Sequence, residues 1–150
     1  MERMNFNDVK KVMFAGNAIL TFLSVPTQTR FTFAIERFKQ STSNPEAEKS
    51  QPLGVKLLTG SNNTSDYTYM GTIFKDLNFR VKNNGKISVN APSFKAFQYV
   101  YDKVLKGIED KRIEIYHSGQ CCRCGRLLTD PESIKAGLGP ECIKIVGKLI

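Results

Sequence analysis

The chain has 150 residues, 41% of them hydrophobic, with a formal net charge of +8 and no tryptophan. This is enough for one globular body plus at most a small appended module, and no apolar run is long enough to span a bilayer. The positive balance points to an acidic partner, with nucleic acid the leading class, and Met1 to Lys11 contain no apolar signal core, so the expected compartment is a reducing cytoplasm.

In chain order, Asn7 to Gly16 carry a capping asparagine, an acidic first turn and a glycine stop, which predicts a short helix. Ala18–Ser24 and Arg30–Glu36 alternate about a Val-Pro-Thr-Gln-Thr connection and predict a hairpin, with Phe31, Phe33 and Ile35 on one face. Lys39 to Gln51 read as a solvated loop, rich in Ser, Asn, Lys and Glu with Pro45 inside. Gly60 to Asp66 is a polar loop whose Asn, Ser and Asp side chains satisfy backbone groups in turns, or else contact a ligand; Tyr67 to Gly71 follows as a strand.

Residues 71–100 hold five Lys/Arg against one acid, the densest positive stretch of the chain. Asn84-Gly85 is a two-residue hairpin signal there, and alternation puts Phe79 and Val81 on one face with Arg80 and Lys82 on the other. A basic sheet face of Arg80, Lys82 and Lys86 could track phosphates; the plainer reading is that these residues solvate the outside of a sheet whose core the phenylalanines fill. Pro92 and the stripe Phe94, Phe97, Tyr101, Val104 and Leu105 predict one amphipathic helix ending at Gly107.

All four cysteines and the only histidine fall between His117 and Cys142. Cys121-x-x-Cys124-Gly125 has the form of a zinc knuckle, two thiolates converging on one ion with a glycine taking the conformation a side chain resists. In Gly139-Pro140-Glu141-Cys142 the glycine suits a cap and the proline the first helical position, so Cys142 falls in a first helical turn whose amides favour its thiolate. His117, at the end of the alternating Ile113 to Tyr116, is the best placed fourth ligand, with Cys122 the competitor. A Cys3His set leaves no open position, so the expected Zn2+ is single and structural. Between the ligands, Thr129 and Glu132 have capping-box spacing, Pro131 fits the first turn and Gly137 ends the helix.

The string Cys121-x-x-Cys124-Gly125-Arg126-x-Leu128-Thr129-x-Pro131-x-Ser133-Ile134-x-x-Gly137-x-Gly139-Pro140-x-Cys142 resembles the zinc-knuckle domain of unknown function found in many bacteriophage and prophage proteins. Phe14 to Asn17, Leu58-Thr59-Gly60 with Asn63, Asp66-Tyr67-x-Tyr69-x-Gly71 and the lone His117 are similar to that family's longer members. Cys122 departs from the pattern, where a small or basic residue is usual. The resemblance implies phage origin and a bound zinc, and it implies no activity.

The expected architecture is α+β: an antiparallel β-sheet with one main amphipathic helix over residues 1–112, and a small treble-clef-like zinc module over 113–150. No second histidine, phosphate loop or activated nucleophile is present, so an enzyme is not expected, nor a small-molecule substrate. The expected function is non-enzymatic binding of nucleic acid through Arg80, Lys82 and Lys86 with Arg123 and Arg126 beside the knuckle. The alternative is a phage counter-defence protein that binds and inhibits a host protein complex, such as a defence nuclease. Both place the protein in the host cytoplasm.

Overall fold

The computed structural model describes residues 1–38, 52–81 and 85–147. The expected loop at 39–51, together with Lys82 and Asn84, lies outside the described residues. Seven strands form one antiparallel sheet: β1 (Glu2–Arg3), β2 (Asn17–Ser24), β3 (Thr29–Arg37), β4 (Leu53–Leu58), β5 (Tyr67–Ile73), β6 (Phe79–Arg80) and β7 (Ile113–His117). Their order across the sheet is β1-β7-β2-β3-β4-β5-β6. Among the described residues there are four helices: α1 (Phe6–Met13), α2 (Pro92–Lys106), α3 (Pro131–Ala136) and α4 (Pro140–Val146). None is long and apolar enough to cross a membrane.

The α+β reading stands. The predicted β2–β3 hairpin pairs from Asn17↔Glu36 to Ser24↔Thr29. Its inward residues Leu20, Phe22, Phe33 and Ile35 are buried under α2, where the Phe97 ring lies 5.1 Å from Phe33 and 6.1 Å from Phe22. Phe94, Phe97, Val100, Tyr101 and Val104 bury the predicted stripe, each removing apolar area worth roughly 1.5–3 kcal/mol from water. The first helix begins earlier than expected, with Asn5 rather than Asn7 at its cap, because Phe6 already packs against the core.

The basic segment departs from expectation. Phe79 and Arg80 are the return arm of a β5–β6 hairpin, paired Ile73↔Phe79 and Thr72↔Arg80 around a turn closed by the Phe74 N–H on the Asn78 carbonyl at 3.0 Å. The Tyr101 hydroxyl donates to the Leu77 carbonyl of that turn at 2.7 Å, fastening it to α2. Residues 85–91 contain no strand, so a hairpin about Asn84-Gly85 is not formed by the described residues. Ile87 packs against the core ahead of α2.

The sheet continues beyond residue 112. Strand β7 lies inside it, pairing with β1 through Glu2↔His117 and with β2 from Leu20↔His117 to Ser24↔Ile113. The cysteine-bearing segment therefore grows out of an interior strand.

Candidate metal centre

After β7 the chain turns back on itself. Gln120 bridges Leu127, the Cys121 N–H donates to the Arg126 carbonyl at 2.7 Å, and the Gly125 N–H to the Cys121 carbonyl at 2.9 Å. Gly125 closes this turn at φ +80°, where a Cβ would stand 3.2 Å from the side-chain Nδ2 of Asn17. The turn is anchored to the body at its middle: the Asn17 N–H at the start of β2 donates to the Cys122 carbonyl at 2.7 Å, and the Cys122 N–H to the Gly137 carbonyl at 2.9 Å.

Helix α3 starts one residue later than the capping-box spacing suggests. Asp130 is its cap, its carboxylate accepting from the Ser133 N–H at 3.0 Å and the Ser133 hydroxyl at 2.6 Å. Pro131 then takes the first helical position, which fixes the cap as the residue before it. These bonds hold the Asp130 carboxyl below its ordinary pKa. Gly137 ends α3 at φ +75° and Gly139 caps α4 ahead of Pro140, which puts Cys142 in the first turn as expected.

This arrangement brings Cys121, Cys124 and Cys142 together, with their sulfurs all within 4.8 Å of one another. All four cysteines are free thiols. Thiolates held tetrahedrally at about 2.3 Å from one ion stand about 3.8 Å apart, so a small closure suffices for the three to hold a metal. Burial opposes the Cys121 thiolate, yet the N–H groups of Cys124, Gly139 and Arg123 outweigh it and set its pKa below the ordinary thiol value; the Gly139 N–H is 3.4 Å from its sulfur. Cys142 goes the opposite way from the sequence expectation. Burial and the neighbouring Cys121 push its pKa up to about 11, although the Arg123 guanidinium donates to its sulfur at 3.7 Å. Clustered anions repel one another until a cation joins them, which fits this donor set to a bound metal.

His117 is not brought into this sulfur cluster. It is 1% exposed, its Nε2–H donates to the Ile134 carbonyl at 2.5 Å, and its Nδ1 accepts the Gly119 N–H at 3.0 Å. Both ring nitrogens are thus committed, and the imidazole ties β7 to α3. Cys122 also stays apart: 2% exposed, with burial pushing its thiol up to about 12 and its sulfur 4.0 Å from the Gln120 carbonyl.

The cluster opens onto a groove of about 420 Å³ whose walls include Arg126, Leu127, Leu128, Asp130, Pro140 and Glu141. Sequence reasoning did not find this groove; Leu127, 72% exposed in a segment with an otherwise buried Leu128, is the signal it left unused.

The basic residues divide into two sets. Arg80 lies on the edge strand β6, its guanidinium 2.8 Å from Asp76 and 5.0 Å above the Phe74 ring, and Lys86 is exposed beyond it. Lys82 lies outside the described residues. Arg123 and Arg126 belong to the cysteine turn, which attaches at β2, four strands from β6 in the sheet order.

Residues 114–147 match the profile of a family described as a family of unknown function (DUF6011), and the matched span contains the three clustered cysteines, His117 and both short helices. No curated protein and no solved structure matches the chain.

Proposed function

We propose that this is a non-enzymatic, zinc-containing protein of phage or prophage origin that binds nucleic acid in the host cytoplasm. The ion proposed is Zn2+, because a thiolate-rich tetrahedral set suits a soft, redox-inert cation, and the turn followed by α4 is the plan of a treble-clef-like module. Cys121, Cys124 and Cys142 would hold it, and the ion would fix the turn against α4, a segment too short to order itself by burial alone.

The observation that carries the nucleic-acid reading is the net charge of +8, to which three thiolates and one dication add only about −1. Arg80, Lys82, Lys86, Arg123 and Arg126 are the proposed contacts. The pairing of Arg80 with Asp76 does not prevent this, since exposed ion pairs are weak and exchange for phosphate. Among the described residues no carboxylate joins the sulfur cluster, which favours a non-catalytic role over metal-assisted hydrolysis.

One observation favours the alternative, a counter-defence protein that inhibits a host protein complex. Leu127 is exposed beside an apolar groove, as at protein docking sites. The two readings separate on binding of purified protein to bare oligonucleotides across a salt series. Affinity that falls linearly with the logarithm of salt supports nucleic acid; no binding at low salt, with nuclease-resistant capture of a host complex, supports the inhibitor.

A further inference from the structure

With His117 committed to Ile134 and Gly119, the question is what completes a metal held by three thiolates. The whole 150-residue chain has no other histidine and only Cys122 as a further cysteine, so every soft donor lies within the described residues. Cys122 faces the interior. Asp130 spends both carboxylate oxygens on Ser133, and Glu141, though on the groove wall, does not join the sulfur cluster. Among the described residues, therefore, the chain supplies three donors to an ion that takes four.

The groove supplies the rest of the inference. It is lined by all three clustered cysteines, and Cys124 is exposed at its mouth. A water occupies about 30 Å³ of liquid, so a groove of about 420 Å³ admits a donor far larger than solvent. Leu127, Leu128 and Pro140 give apolar walls suited to a flat ring. Charge selects among donors. Three thiolates with a dication carry about −1, and the Asp130 and Glu141 carboxylates on the walls are offset by the Arg126 guanidinium on the same wall and by Arg123 at the Cys142 sulfur, so the balance stays near −1 and favours an uncharged fourth ligand over an anionic one.

We propose that the metal held by Cys121, Cys124 and Cys142 keeps an exchangeable fourth position facing this groove, and that the groove takes an uncharged imidazole-type nitrogen donor there. This rests on the metal-binding reading, deepens it from a closed structural site to a ligand-binding one, and needs no catalysis.

The test uses the full chain loaded with cobalt(II), whose thiolate charge-transfer band reports the cysteines and whose visible d–d bands report the fourth ligand. Free imidazole and azide are the neutral and anionic probes. The expected result is one cobalt per chain, a charge-transfer band that persists throughout, and d–d bands that shift saturably with one imidazole per cobalt, with azide needing at least a tenfold higher concentration. Unmoved d–d bands in the cobalt-loaded chain overturn the proposal, as does a stronger response to azide or release of cobalt by imidazole. His117→Asn should leave the cobalt spectrum as it is before imidazole is added, and a changed spectrum would restore His117 as the ligand and overturn the proposal. Absence of any charge-transfer band is a separate failure, that of the metal reading itself. The titration of the unsubstituted chain decides the matter even where the variant does not fold.

Discussion

The imidazole of His117 reaches across from β7 to the last turn of α3, its Nε2–H donating to the Ile134 carbonyl at 2.5 Å while the Gly119 N–H caps its other nitrogen at 3.0 Å. A side chain so placed holds the cysteine-bearing segment against the sheet. His117→Ala removes both bonds and leaves a cavity beside Met4 and Gly137, an expected cost of roughly 2–4 kcal/mol. Denaturant midpoints should fall accordingly while the metal content of folded protein stays that of the parent. Stoichiometric loss of metal with unchanged stability would return His117 to the ligand set.

The cysteines should separate cleanly. Cys124→Ser takes one of three sulfurs from the cluster, so it should release the metal and loosen residues 118–147, since metal binding and ordering of such a module are one free energy. Cys122→Ser leaves the cluster intact and should keep full occupancy, at a stability cost from placing a hydroxyl in a buried thiol's site. Metal analysis with amide exchange over the C-terminal segment reads both. Equal metal loss in the two variants would mean that Cys122 rotates into the site.

Much of this was legible in advance, and the failures have local causes. Cys-x-x-Cys-Gly and Gly-Pro-x-Cys fix backbone geometry, so the convergence of Cys121, Cys124 and Cys142 could be anticipated from spacing alone. His117 lies near the cysteines in sequence but outside their cluster, and the strand pattern carries the reason. Period-two alternation puts it on the face of Ile113 and Ile115, and Ile115, like His117, is buried, so the inward orientation was present in the strand pattern. The Asp130 cap was likewise encoded in Pro131 at the first helical position. The Asn84-Gly85 signal falls partly outside the described residues; the hairpin described in this segment is closed by the Phe74–Asn78 turn, which nothing local announces.

Gly137 sits at φ +75° with its missing Cβ pointing at Val12 Cγ1, 3.0 Å away, and at Met4 and His117 beyond. Gly137→Ala therefore combines left-handed strain with a close contact to a core helix, and should destabilise by about 1–3 kcal/mol. Gly107→Ala has the same backbone strain with open space around it and should cost less, about 1 kcal/mol. Paired thermal melts test the ordering, and equal losses would show that contact with Val12 is relieved without cost.

Alkaline conditions should weaken the fold through Tyr101. Burial, with a smaller contribution from Asp76, raises its pKa above the ordinary tyrosine value, and its hydroxyl is needed un-ionised to donate to Leu77. The sign follows from the raised folded-state pKa. The contribution is fully present below the unfolded value of about 10 and is lost as pH climbs from there toward the folded value. Tyr101→Phe should cost about 1 kcal/mol at neutral pH and flatten the decline above pH 10. A decline of the same steepness in the variant would assign the effect to other tyrosines.

The two basic sets make different predictions for nucleic acid. If Arg80, Lys82 and Lys86 each contact a phosphate, replacing all three with glutamine should lower the salt slope for single strands by about two units, at roughly 0.7 per contact. Arg123→Gln with Arg126→Gln should lower it by about 1.4 units on the same arithmetic. Arg80 must first exchange Asp76 for phosphate, so Asp76→Asn should strengthen binding by freeing it. Metal content should be untouched in the triple variant, because Arg80 lies on β6, four strands from the β2 anchor of the cysteine turn. Arg123 donates to the Cys142 sulfur, so the double variant needs its metal content checked before its slope is read. Slopes unchanged in both variants, or no oligonucleotide binding by the parent at low salt, would rule out the nucleic-acid reading and leave the exposed Leu127 groove and a protein partner as the better account.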